Sequence, residues 1–143
     1  MKLTTITFFA ATLLPLSALA QNAPGAHFIE NWDQDGDGVV TLAEAEQRRG
    51  DVFFTFDANE DTFLDSEEYA MFDEARANDM AGRGNGNGMR RAQEGMTMAF
   101  NDVDADGKVA QDEFIARTAD WIALLDRDGD ANITAQDFGP GSN

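Results

Sequence analysis

The chain has 143 residues, with 27 Asp+Glu against 10 Lys+Arg, a formal charge of -17 and no cysteine. So acidic a chain is disfavoured as a nucleic-acid binder, because it repels the phosphate backbone. The missing thiols exclude disulfide stapling, a lipidated cysteine and a cysteine nucleophile.

Residues 1–20 place Lys2 before an apolar run from Leu3 to Leu14, then Pro15 and an Ala18-Leu19-Ala20 end before Gln21. This pattern reads as a secretory signal peptide cleaved after Ala20. A retained membrane anchor is the alternative, but the run is short for a span, contains several threonines and is followed by no basic stop-transfer cluster. The expected product is periplasmic or secreted from a bacterium, without stable membrane insertion.

Residues 26–138 alternate helical patterning with four acidic twelve-residue loops. A short helix over 26–32 leads into loop 1, residues 33–44. A helix over 42–56, with Leu42, Ala45, Val52, Phe53 and Phe56 mostly at three- and four-residue steps, leads into loop 2, residues 57–68. It must serve both loops, and Gly50 within it is a candidate kink. A helix over 66–80 follows.

Gly82-Arg83-Gly84-Asn85-Gly86-Asn87-Gly88 cannot sustain a helix. Residues 82–89 read as a flexible linker between two lobes, 26–81 and 90–139; a tip that lets the two halves pack together is the alternative. Beyond it, a helix over 90–101 enters loop 3, residues 102–113. A shared helix over 111–125 enters loop 4, residues 126–137, and a stub follows near 135–138. The loop starts Asp33 and Asp57, and Asp102 and Asp126, are equally spaced, which marks an internal duplication.

The loop spacing is that of a hard-cation site. Calcium takes six to eight oxygens at about 2.3–2.6 Å, and a short loop around it must turn alternate residues inward. Loop 1 offers Asp33, Asp35 and Asp37 at positions 1, 3 and 5, the Val39 carbonyl at 7, Thr41 at 9 and Glu44 at 12, with Gly38 making the turn at 6. Loop 3 offers Asp102, Asp104, Asp106, the Lys108 carbonyl and Glu113, keeps Gly107 at 6, and has apolar Ala110 at 9, which leaves room for a water. Loop 2 offers Asp57, Asn59, Asp61, the Phe63 carbonyl, Asp65 and Glu68, but Thr62 stands at position 6, where a β-branched residue at positive φ costs about 1–2 kcal/mol. Loop 4 offers Asp126, Asp128, Asp130, the Asn132 carbonyl and Thr134, with Ala131 at 6 and the shorter Asp137 closing the site. Loops 1 and 3 are expected to bind best, then 2, then 4, the last favouring the smaller magnesium ion.

Loop 1 matches D-x-[DN]-x-[DN]-G-x5-E at every specified position, so residues 26–138 resemble the EF-hand superfamily, and in particular small secreted bacterial EF-hand proteins with closely spaced hands. The resemblance implies an all-α fold of two EF-hand pairs and calcium binding without an enzymatic reaction. It also implies that the position-8 residues pair in short antiparallel bridges, Val40 with Leu64 and Val109 with Ile133. The tight spacing and the leader resemble lanmodulin, which implies lanthanide binding as the alternative. That family's proline at position 2 and acid at position 9 are replaced here by Gln34, Ala58, Val103 and Arg127 at position 2, with only Asp65 acidic at position 9.

Four acids in each of four loops place sixteen of the 27 at ligand positions. Apo loops should therefore repel themselves, and metal should contribute to folding. His27, the only histidine, reads as a surface or helix-entry residue, and no catalytic set is evident. Trp32, Phe56, Phe100 and Trp121 read as core. Met71, Met80, Met89, Met96 and Met98 fit either ordinary packing or a groove that a calcium sensor opens to a protein partner.

Overall fold

A computed structural model describes residues 23–83 and 86–139. The leader, residues 1–20, and positions 84 and 85 of the glycine-rich segment lie outside the described residues. The order is α1 (Ala26–Trp32), α2 (Leu42–Phe56), β1 (Phe63–Leu64), α3 (Ser66–Met80), α4 (Asn87–Glu94), α5 (Met98–Asn101), β2 (Val109–Ala110), α6 (Gln111–Ala116), α7 (Thr118–Leu125) and a 3-10 turn, Ala135–Phe138. The fold is mostly helical, and no described helix is long and apolar enough to cross a membrane.

The end of each loop starts the next helix. Thr41 caps α2 by accepting from the Glu44 amide while the Glu44 carboxylate accepts from the Thr41 amide, and Asp65 with Glu68 repeats this box at α3. Loop positions 9 and 12 are thus also the N-cap and third residue of a helix. In loop 3 Ala110 has no side-chain oxygen, so only half of the box forms, through the Ala110 amide and Glu113 (2.9 Å).

The position-8 residues pair in a different order from the one expected. Leu64 pairs with Val109 in an antiparallel ladder, and Val40 bridges to Ile133 with both backbone hydrogen bonds made, at 2.8 and 3.0 Å. Loop 2 therefore meets loop 3, and loop 1 meets loop 4. The reason is length. α2 is a single fifteen-residue helix, about 22 Å at 1.5 Å per residue, so the loops at its two ends cannot lie side by side. α6 and α7 separate loops 3 and 4 in the same way. The two rods run antiparallel, each end of one meeting an end of the other.

This arrangement gives one continuous core in place of two lobes. Phe53 of α2 packs at a tilt against Phe114 of α6 (5.9 Å), and Phe72 of α3 also meets Phe114 (6.3 Å). Trp121 of α7 lies against Phe28 (5.6 Å) and Trp32 (4.5 Å) of α1, and Phe138 closes on Phe28 (5.0 Å). Trp121 is buried, whereas Trp32, Phe56 and Phe100 pack half-buried against this core.

α2 runs as one helix through Gly50. Two further expectations are corrected. The linker is shorter than 82–89, because α4 begins at Asn87; Gly88 is buried where a Cβ would lie 2.5 Å from the Phe138 ring. The helices expected over 90–101 and 111–125 are each broken in two.

Each break, like the end of α5, frees carbonyls in a last helical turn, and a side chain from elsewhere takes one. Trp121 Nε1 donates to the Ala92 carbonyl of α4 (3.0 Å), Arg117 Nε to the Phe100 carbonyl of α5 (2.9 Å), and Arg49 to the Phe114 carbonyl of α6 through Nε (2.9 Å) and Nη2 (2.7 Å). At the first break, a Cβ on Gly95 would lie 1.8 Å from Trp121 Cδ1, so only glycine lets the indole reach its carbonyl. Thr118 Oγ1 donates to the Ile115 carbonyl (2.6 Å) at the α6–α7 break.

Arg49 is fully buried. Beyond Phe114 it donates to Asn101 Oδ1 (2.5 Å), the Gly95 carbonyl (3.3 Å) and Met96 Sδ (3.1 Å), and it sits 3.9 Å from the Phe114 ring centre. None of these partners is a carboxylate. Burial lowers its pKa to about 10, so the guanidinium remains charged at neutral pH, satisfied by carbonyls and an aromatic face. Asn101 also donates to the Tyr69 hydroxyl (3.1 Å), whose pKa burial pushes up to about 12.

Candidate metal centres

Each loop turns on hydrogen bonds from its own backbone to its position-1 carboxylate. Asp33 accepts from Gly36 (2.7 Å) and Gly38 (2.8 Å), and Asp126 from Gly129 (2.7 Å) and Ala131 (2.9 Å). Asp57 accepts from Asp61 (3.0 Å) and Thr62 (3.0 Å), and Asp102 from Asp106 (3.1 Å) and Gly107 (3.1 Å). At position 5, Asp37, Asp61, Asp106 and Asp130 each accept from the amide two residues on, that of Val39, Phe63, Lys108 and Asn132, at 2.8–2.9 Å.

The position-12 carboxylate closes every loop by the same two bonds, one oxygen to the position-2 amide and the other to the position-9 amide. Glu44 accepts from Gln34 (3.0 Å) and Thr41 (2.9 Å), and Glu68 from Ala58 (2.9 Å) and Asp65 (3.0 Å). Glu113 accepts from Val103 (3.2 Å) and Ala110 (2.9 Å), and Asp137 from Arg127 (2.8 Å) and Thr134 (2.8 Å). The shorter Asp137 reaches because residues 135–138 wind as a tighter 3-10 turn and carry the carboxylate inward, where it is buried.

Closure brings three carboxylates together. Oxygens of Asp33, Asp35 and Glu44, of Asp102, Asp104 and Glu113, and of Asp126, Asp128 and Asp137 each lie within 4.8 Å of one another. Positions 1, 3 and 12 thus converge in loops 1, 3 and 4. Loop 2 forms no such triple of acids among the described residues; its position 3 is Asn59, which supplies a neutral amide oxygen. The position-5 aspartates Asp37, Asp106 and Asp130 stand outside these groups.

Donated hydrogen bonds favour the ionised carboxylate. The Thr41 amide, with the Thr41 hydroxyl and the Gln34 amide, holds Glu44 below its ordinary value. The Glu68 and Glu67 amides hold Asp65 down, and the Ala131 and Gly129 amides hold Asp126 down. The bonds that align these oxygens thus also favour their deprotonated form.

Position 6 has positive φ in every loop: Gly38 at 88°, Thr62 at 70°, Gly107 at 87° and Ala131 at 66°. Position 4 does too, a requirement missed in the sequence: Gly36 at 79°, Glu60 at 57°, Ala105 at 59° and Gly129 at 82°. Loop 1 meets both with glycine, loops 3 and 4 meet one each, and loop 2 meets neither. At about 1–2 kcal/mol per non-glycine residue, strain sets loop 2 last, where closing-residue length alone would set loop 4 last.

The four loops occupy two sites in space, loops 1 and 4 at one end of the rods and loops 2 and 3 at the other, each pair joined through fully buried position-8 residues. His27 is not among the acidic groups; its Nε2 pairs with Asp79 Oδ2 (2.6 Å) and ties α1 to α3. Compared with known proteins, the chain matches no family model and no curated sequence.

Proposed function

We propose that this chain is an exported, non-enzymatic metal-binding protein of the EF-hand type that takes calcium in its four loops. Its role is that of a calcium buffer or a calcium-dependent sensor. One observation carries the reading: four times over, a position-12 carboxylate is fastened to the position-2 and position-9 amides. In three of the four it also stands beside the position-1 and position-3 acids. A solvated acidic turn has no reason to repeat that closure. Asp33, Asp35 and Glu44, with their counterparts in loops 3 and 4, would hold the ion. Asp57, Asn59 and Glu68 would do so more weakly. Exported sites meet abundant calcium, so affinities of about 10⁻⁴–10⁻³ M suffice.

A trivalent ion is the second reading. Three formal charges converge in each of three loops, which suits a lanthanide or another hard trivalent cation. Export rests on the pattern of residues 1–20 and is tested by the mass of the mature N-terminus.

The test of metal choice is calorimetric titration of the metal-stripped protein with calcium and then a lanthanide, in magnesium-containing buffer. Two to four calcium ions bound over magnesium is the expected result. Negligible calcium heat with tight lanthanide binding moves the assignment to the trivalent reading, and no heat with either ion refutes both.

A further inference from the structure

A cleft of about 230 Å³ opens between α1, α2, α3 and α4, and none of the loop carboxylates lines it. Its walls include Trp32, Trp121, Met80, Met89 and Met96, and its polar lining includes His27, Arg48, Arg76 and Asp79. In a chain of charge -17, two of the ten Lys+Arg and the only histidine line this one opening. Its one carboxylate is already engaged, by His27 (2.6 Å) and Arg83 (3.7 Å).

The two arginines keep donors free: Arg48 has no counter-charge among the described residues, and Arg76, although paired with Asp73, has one nitrogen left over. Arg76 spends Nη1 on Gln93 and Nη2 on Asp73, but its Nε is buried with no hydrogen-bond partner. A buried donor left unpaired is uncommon and calls for an acceptor. The space is limited: an apolar cavity of about 150 Å³ holds benzene, so 230 Å³ takes a ring with a short tail.

We propose that this cleft binds a small organic acid with an aromatic or short aliphatic body, its carboxylate received by Arg48 and the free Nε of Arg76. The body packs on the tryptophans and methionines, and the methionine thioethers adapt to its shape. The inference rests on the cleft and its charge, not on the metal reading.

Both tryptophans of the chain line the cleft, so intrinsic fluorescence reports on it directly. Phenylacetate is titrated into the full mature protein at fixed calcium, with the neutral phenylacetamide as its control. The expected result is a saturable fluorescence change with phenylacetate, weaker by about tenfold or more with the amide and in Arg48→Gln, the loss of one charge-assisted hydrogen bond. Methyl NMR shifts should fall on Met80, Met89 and Met96, which line the cleft, and spare Met71, which does not. No saturable change, equal binding of acid and amide, or full affinity in a folded Arg48→Gln protein each overturns the proposal. So does a response to an amphipathic helical peptide with none to phenylacetate, which would make the cleft a peptide groove.

Discussion

Replacing Thr62 by glycine should stabilise the protein, against the usual outcome of a mutation in a ligand loop. Thr62 is exposed at φ 70°, and its amide donates to Asp57 Oδ2 (3.0 Å), a bond that glycine retains. Leaving the left-handed region to a residue without Cβ recovers about 1–2 kcal/mol. The greater freedom of glycine in the unfolded chain takes back about 0.5–1 kcal/mol. The net gain is about 0.5–1 kcal/mol, or about 2–5 °C in melting temperature for a domain of this size. The metal-free protein should be melted by circular dichroism beside Ala58→Gly, an exposed change in the same loop at a position without positive φ. Ala58→Gly has no strain to release and should melt at or below the wild type. If Thr62→Gly melts no higher than the parent, or if Ala58→Gly rises equally, the left-handed backbone stores no strain there and ranking the loops by glycine placement fails.

Arg49→Met leaves the Phe114 carbonyl and Asn101 Oδ1 without their donor, while the Gly95 carbonyl keeps only that of Asn101 Nδ2; a loss of about 3–5 kcal/mol in urea unfolding is expected. Arg49→Lys should recover less than half of it, since one ammonium cannot span the fork. Gly95→Ala forces the Trp121 ring off its site, where a Cβ would lie 1.8 Å from Cδ1, and should cost about 2–4 kcal/mol. Gly50→Ala meets only Ile115 Cδ1 at 3.9 Å in mid-helix and should gain about 0.5–1 kcal/mol; a loss there would refute the reading of Gly50 as an ordinary mid-helix position. Glu44, Asp65 and Asp126 are held below their ordinary values of 4.5, 3.8 and 3.8 by donated amides. Their contribution is complete above those values and disappears as pH falls through the lower folded ones. The urea midpoint of the metal-free protein should therefore drop below about pH 4.5, and a flat midpoint down to about pH 3 would contradict the bonds drawn to these three carboxylates.

The loops were legible because their causes are local. Alternating acids, a glycine turn and an acid three residues after a capping oxygen all act within twelve residues, so Asp33, Asp35 and Glu44 could be named and do converge. Gly36 and Gly129 carried the signal for the second left-handed position, but Glu60 and Ala105 stand in the same register and hid it. The pairing order was implicit in the single helix shared by loops 1 and 2, whose length alone keeps them apart. The breaks at Gly95 and Arg117 were illegible, because they are made from a distance by the Trp121 indole and the Arg49 guanidinium. Arg48 and Arg49 look alike in sequence, yet one lines a cleft and the other is the most deeply embedded charge in the fold.

The crossed pairing makes the molecule a nested closure. Leu64 and Val109 are 45 positions apart, and Val40 and Ile133 are 93 apart. Closing the outer ladder first costs about 0.6 kcal/mol more in chain entropy than closing the inner one, and the inner ladder once formed shortens the outer search. Mutations at Leu64 and Val109 should then slow folding, while mutations at Val40 and Ile133 mainly speed unfolding. The same nesting brings the two ends of the described part of the chain together, since a Cβ on Gly25 would lie 2.3 Å from the Phe138 ring. Joining them and cutting at the glycine-rich segment would yield a circular permutant in which the folding order is reversed, with loops 1 and 4 becoming the inner pair.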